Sequence, residues 1–224
     1  SGDTKELKLY PIGDLHIGNP LFRKDLLLNV LKGIDKENSR IILMGDILEV
    51  GLKDSIGASV YEQKSNVQEQ VQLAKEIFWD YRDIIDGYVI GNHENRVWER
   101  SGLDIALYLS QVLGIENKYL RYQGLISYAW NKRSYTVHAF HGAGGGTTLG
   151  SAINKVVKQS DIVSADLYLA GHTHQVASGK KDYFVPDSRS LTLSKQTQVF
   201  VACGSMLDYE EGYAEAKGLL PTTL

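Results

Sequence analysis

Short apolar runs alternate along this chain with longer segments of helical period, the signature of a layered α/β domain. The runs are Leu7 to Ile12, Ile41 to Met44, Tyr88 to Ile90, Tyr135 to Phe140, Leu167 to Ala170 and Val199 to Ala202. Their mostly apolar make-up predicts strands buried on both faces. Amphipathic stripes fill the gaps. Leu27, Val30, Leu31 and Ile34 form one. Val67, Val71, Ala74, Phe78, Tyr81 and Ile85 form a longer one, with Glu62, Lys64, Glu69, Lys75 and Arg82 on its wet side. Leu103, Ala106, Leu109 and Leu113 form a third, which Gly114 is placed to end, and Leu149, Ile153, Val156 and Val157 form a fourth. All four read as core-facing surface.

Two stretches predict antiparallel pairing. Leu125 to Trp130, Asn131-Lys132 and Arg133 to Val137 read as a β-hairpin. A second lies between Val176 and Val201, where Tyr183/Val185 and Leu191/Leu193 flank Pro186-Asp187. Helices early and hairpins late predict two packed sheets with helices outside. No linker divides the chain, so residues 1–224 read as a single domain.

The residues that follow the apolar runs carry the chemistry. The first run ends in Gly13-Asp14-Leu15-His16 and the second in Gly45-Asp46. The third ends in Gly91-Asn92-His93-Glu94, the fourth in His141-Gly142 and the fifth in Gly171-His172-Thr173-His174. Strand ends of an open sheet are where α/β proteins build sites, because the loops there converge. A glycine beside each candidate ligand permits a tight turn and a close approach of backbone. A lone histidine is more often a surface or core residue than a ligand. Here five of the six histidines sit in these motifs, and that sorting points to metal.

Each ligand type has a reason. Asp14-x-His16 and His172-x-His174 have the period-two spacing that aims both side chains one way. The oxygens of Asp46 can serve two cations about 3.5–4 Å apart, as two-metal hydrolytic sites require. Asn92 offers an amide oxygen without adding charge. A nitrogen and oxygen donor set without thiolate suits Mn, Fe, Zn, Co or Ni better than a copper or iron–sulfur centre.

In this order the five motifs resemble those of the calcineurin-like metallophosphoesterase family, over residues 14–174. The resemblance implies a four-layer α/β/β/α sandwich. It implies one ion held by Asp14, His16, Asp46 and His174, and a second held by Asp46, Asn92, His141 and His172. Two divalent cations are therefore expected, manganese (Mn) first among them. The resemblance further implies that His93 lies beside the ions without ligating them, protonating the leaving oxygen or steadying the phosphate while a metal-activated hydroxide attacks.

Departures from the family narrow the substrate. Its protein serine/threonine phosphatases carry an arginine soon after the second motif and another just before the third. Gly45 to Gly51 and Val89 to Gly91 contain neither. The chain also has no room for the capping domain of the family's double-strand-break nucleases, and its compactness is similar to small bacterial and phage-type members. The expectation is a phosphodiester, with a phosphomonoester as the alternative. A DNA or RNA nuclease is the first rival, and it predicts a basic, aromatic surface beside the metals. A non-catalytic protein-binding scaffold is a second, and the complete ligand set opposes it. A nucleotide pyrophosphatase is a third, with Gly51 to Ser59 as its lid.

Features outside the ligand set are more open. Arg96 and Arg100 could clamp a phosphate and Trp98 could stack on a ring, or all three could be ordinary helix surface. Glu94 reads equally as a carboxylate behind the ligands or as a charge at a helix N-terminus. His138 sits three before His141, so alternation turns it to the opposite face as a structural histidine. Gly144 to Gly146 lack the Lys-Ser/Thr of a P-loop and read as a loop over the metals.

Composition changes the picture little. Hydrophobic content of 43% and charged content of 23% are those of an ordinary globular chain. With 24 basic and 27 acidic residues the net charge is −3, which excludes coating nucleic acid by general charge and leaves room for a local basic patch. No apolar run approaches the ~18 residues of a membrane helix. The single Cys203 excludes an internal disulfide and agrees with a reducing, cytoplasmic setting. Ser1-Gly2 in place of a methionine reads as a cloning or protease scar, so a removed upstream segment is allowed for.

Overall fold

The computed structural model describes residues 6–52, 63–130, 132–145, 148–209 and 215. Its first sheet pairs β1 (Lys8–Ile12), β2 (Ser39–Leu43), β3 (Ile85–Val89) and β4 (Tyr119–Arg121) in that order, all parallel. The second holds β5 (Gln123–Trp130), β6 (Arg133–Phe140), β7 (Leu167–Ala170), β8 (Ala177–Asp187) and β9 (Thr192–Ala202), ordered β5-β6-β7-β9-β8. Its centre, β6-β7-β9, is parallel, and antiparallel hairpins close both edges.

Strand alternation builds the layers. Ile41 and Leu43 of β2 face a core shared with α1 (Lys24–Lys32), α2 (Val67–Phe78) and α4 (Ile105–Leu113), through Leu27, Leu31, Val71, Phe78, Leu109 and Leu113. Ile42 of β2 and Met44 just beyond it point the other way, with Val89, onto Val137, Ala139, Leu169 and Cys203 of the second sheet. That sheet's outer face takes α5 (Leu149–Val157), whose Ala152 and Val156 lie on Tyr168, Ala170, Phe200 and Ala202. The result is the four-layer α/β/β/α sandwich expected. Each fully buried branched side chain here contributes about 1.5–3 kcal/mol.

Local signals set the helix ends. Asn66 accepts from the Glu69 amide while the Glu69 carboxylate accepts from the Asn66 amide, which fixes the start of α2. Asp104 accepts from the Leu107 amide to start α4, and Gly114, at φ 70°, ends it.

Several expectations shift. The long stripe stops at Phe78. A 3-10 turn over Trp79–Ile84 follows, and Ile85 already belongs to β3. Leu103 and Leu149 are half exposed rather than core-facing, at 51% and 50%. Pro186 and Asp187 lie within β8 opposite Leu193 and Thr192, so that hairpin turns over 188–191. Glu62, Asn131 and Gly146 lie outside the described residues, as does 53–59 of the expected lid. No described helix is long and apolar enough to cross a membrane.

Candidate metal centre

β1, β2 and β3 run parallel, as do β6 and β7, so their C-terminal ends gather along one crest of each sheet. The loops leaving them bring Asp14 and His16, Asp46, Asn92, His141, and His172 and His174 together. The mechanism differs from the one the spacing suggested. Asp14, His16, Asp46, His172 and His174 all lie beyond the strands and have left-handed backbone, with φ of 48°, 51°, 47°, 68° and 55°. For side chains other than glycine that conformation costs about 1–2 kcal/mol per residue. Both D-x-H and H-x-H are thus aligned by tight turns and not by strand alternation.

Glycine is required where these loops touch. A Cβ on Gly91 would fall 2.1 Å from the Asp46 amide nitrogen and Oδ1, and one on Gly171 would fall 2.5 Å from Asp14 Oδ2. The close approach is to neighbouring ligands. Backbone bonds from Asp14 to Gly45 and from His16 to Asp46, both 2.9 Å, hold the first two loops side by side.

Two donor sets result. In the first, His16 Nε2 lies 3.2 Å from His174 Nε2, and His174 Nε2 lies 3.3 Å from Asp14 Oδ1. In the second, His141 Nε2 lies 3.2 Å from Asp46 Oδ2 and 3.1 Å from Asn92 Oδ1, which is 2.7 Å from His172 Nδ1. Asp46 Oδ2 is also 3.9 Å from His16 Nε2, and so it joins the sets. Asp46 Oδ1 accepts from the His93 amide at 2.8 Å, which leaves Oδ2 as the shared oxygen. Metal–nitrogen and metal–oxygen bonds of about 2.0–2.2 Å give ligand edges of about 3.0 Å in an octahedron and 3.4 Å in a tetrahedron. The spacings of 3.1–3.3 Å, including two histidine nitrogens facing each other, match those edges, while the 2.7 and 3.9 Å pairs fall outside them. The donor set suits divalent metal ions.

The histidines are aimed from behind. His141 donates from Nδ1 to the Met44 carbonyl at 2.8 Å, turning Nε2 toward Asp46. His16 Nδ1 lies 3.1 Å from Glu49 Oε2, which also accepts from the Asn19 amide group. His93 donates from Nδ1 to the Glu49 carbonyl at 2.8 Å. Glu94 is fully buried and accepts from the amides of Asp46, Leu48 and Gly91, at 3.0, 2.9 and 3.1 Å. It therefore serves as a carboxylate behind the ligands, at the start of α3 (Asn92–Ser101).

Charges in the centre act on one another at close range. Burial opposes a charged His16, yet its bond to Glu49 and the negative charges of Asp46, Glu49 and Asp14 raise it to about 9. His141 rises to about 10 in the same way, against burial, through the charge and hydrogen bond of Asp46. Burial would raise Asp46, but His141, His93 and His16 hold it well below the usual carboxylate range. A site whose negative potential raises two buried imidazoles this far is one that divalent cations satisfy. His93 goes the other way. Burial and the nearby His16 charge lower it to about 4. Burial and the charge of Asp46 push Glu94 up to about 7, against its bond from the Leu48 amide.

Every expected ligand thus lies in the centre, and three clusters of side chains there have the spacing to hold a metal: Asp14/His16/His174, Asp46/His141/His172, and His16/Asp46/His93. The third places His93 against both sets, at a 4.4 Å ring distance from His16. His138 faces away as expected, bonded through Nε2 to Gln123 Oε1 at 3.1 Å and stacked on Phe140. Arg96 is near enough for its charge to act on His93, and among the described residues its buried Nη1 has no hydrogen-bond partner. Trp98 and Arg100 are exposed, about half a turn and one turn beyond Arg96 along α3. Sequence reasoning missed Glu49. Its signal is a lone carboxylate inside the apolar run Ile47-Leu48-Glu49-Val50, all of it buried.

No family model matches the chain, and no curated protein matches it. Among solved structures, it is similar to a metallophosphoesterase from Sphaerobacter thermophilus at 15% identity and a TM-score of 0.43, over 89% of this chain and 77% of that one. It is also similar to a conserved uncharacterized protein and predicted phosphoesterase from Streptococcus pneumoniae TIGR4. There the identity is 12% and the TM-score 0.37, over 88% of this chain and 71% of that one. The functional reading rests on the chain's own residues.

Proposed function

We propose that this chain is a binuclear metal-dependent phosphoesterase with a preference for phosphodiesters. The observation that carries the reading is the pair of convergent donor sets sharing Asp46 Oδ2, with His93 packed against His16 and Asp46. Asp14, His16, Asp46 and His174 would hold one ion, and Asp46, Asn92, His141 and His172 the other. Bound there, two divalent cations would neutralise a phosphate and activate a water as nucleophile. Mn²⁺ is the first choice, and Fe, Zn, Co and Ni suit the same donors.

The protein's own groups do the rest. His93 is fixed through Nδ1, so its Nε2 is the atom for proton exchange with a leaving oxygen. Arg96, whose charge acts on His93, is a cation suited to a substrate's phosphate. A protein-binding scaffold has no need for seven convergent metal-type donors, four of them buried and five on left-handed backbone.

The test is hydrolysis of bis(p-nitrophenyl) phosphate and p-nitrophenyl phosphate by Mn²⁺-loaded protein, with bound metal counted by elemental analysis. Asp46→Asn is expected to lose metal from both sites and to cut turnover by more than the ~10–100-fold typical of losing an outer partner. Turnover that survives in this variant would overturn the shared-ligand assignment. Absence of turnover on both esters with two ions bound would overturn the phosphoesterase reading.

A further inference from the structure

A second cluster lies beside the metal centre. Arg121 ends β4, the edge strand of the first sheet, and its carbonyl accepts from the Ile90 amide at 2.6 Å, directly before the Gly91 loop. Its guanidinium carbon lies 5.8 Å from the Trp98 ring centre and 5.1 Å from that of Tyr122. Trp98 is 41% exposed and Tyr122 53% exposed. The Tyr122 hydroxyl donates to Asn95 Oδ1 at 3.4 Å, one turn of α3 beyond the ligand Asn92. Trp98 follows one turn later, about 9 Å along the helix axis from Asn92. The cluster therefore starts at the centre and leads away from it.

Its construction is costly for an ordinary surface. Arg121 has left-handed backbone, φ 60°, a conformation disfavoured for long side chains and concentrated at functional sites. Two large aromatic rings remain in water, held on separate elements around one cation. The chain's net charge of −3 rules out general attraction of polyanions, so any recognition of a charged polymer must be local, as here.

We infer that Trp98, Arg121 and Tyr122 form a subsite for the nucleobase next to the scissile phosphate of a nucleotidic phosphodiester. The rings supply stacking platforms that accept any base, and Arg121 supplies charge for the adjoining phosphate. The inference rests on the phosphoesterase reading only for the position of the scissile phosphate.

The experiment is fluorescence anisotropy with Mn²⁺-loaded protein and a fluorescein-labelled, hydrolysis-resistant phosphorothioate pentathymidylate, compared with an abasic strand of equal length. Wild-type protein is expected to bind the base-bearing strand about tenfold more tightly. Trp98→Ala and Tyr122→Ala should each remove most of that preference, Trp98→Phe should keep it, and Arg121→Ala should weaken both strands. Competition by thymidine 5′-monophosphate at matched base concentration would support a mononucleotide ester, and its failure a single strand. Equal binding of the two strands by wild-type protein, or a parallel loss of both in Trp98→Ala, would overturn the subsite. A base preference without hydrolysis of any ester keeps the subsite and removes only the phosphoesterase reading.

Discussion

His93 donates from Nδ1 to the Glu49 carbonyl and carries its backbone amide to Asp46 Oδ1, so both its ring and its peptide are held by the second motif's loop. Without metal, burial and the His16 charge lower the ring's pKa to about 4. The negative charge of an incoming phosphate acts in the opposite direction, which ties its proton to the presence of substrate. His93→Asn is therefore expected to lower kcat by about 10²–10⁴-fold on an alkyl ester, whose leaving oxygen needs a proton. It should change p-nitrophenyl ester turnover far less, because that leaving group departs as a stable anion. Steady-state kinetics on the two esters decide it, and equal losses would remove the proton-transfer role. At this scale the candidate ligands were legible in the sequence because each is a metal-binding residue type close to a glycine. The left-handed turns that aim them were not. Asp14 and His16 look like alternating strand positions until the strand is seen to end at Ile12.

Among elements, the joint between α3 and the loop after β2 carries the most consequence. Glu94 takes three backbone amides from three positions, and no neutral side chain can do the same. A glutamine has one acceptor oxygen and would set an amide group against the remaining donors. Glu94→Gln is expected to cost about 1–3 kcal/mol for the unpaired buried groups, read by urea denaturation. It should also weaken metal binding by about 10–100-fold, read by titration. Unchanged stability and affinity would show that Glu94 only fills space. Elements with long apolar runs were readable, as with β7, where Leu167–Ala170 is the run itself. β4 was not, because its three residues, Tyr119–Arg121, form a half-exposed edge with no period to detect. The Arg121 cluster was hidden for the same reason. Trp98 could be singled out from sequence, but its neighbours come from a strand 20 or more positions away.

For the whole molecule, the centre joins two layers. Asp14, Asp46 and Asn92 descend from the first sheet, and His141, His172 and His174 from the second. An ion bound to native loops and not to the unfolded chain stabilises by mass action, about 2.7 kcal/mol at a hundredfold excess over Kd. For a domain of this size that shifts Tm by about 5–10 °C per site. Adding Mn²⁺ should raise Tm by this amount, EDTA should reverse it, and Asp46→Asn should lose most of the response in a calorimetric scan. An identical Tm with and without metal would mean that the ions do not bridge the sheets. The shared placement has a further consequence in time. During synthesis from the N-terminus, the residues of the first sheet emerge long before His172 and His174. Until residue 174 has been made, the chain holds only part of the proposed donor set. Completion of the proposed donor set is then a late event in the chain's birth.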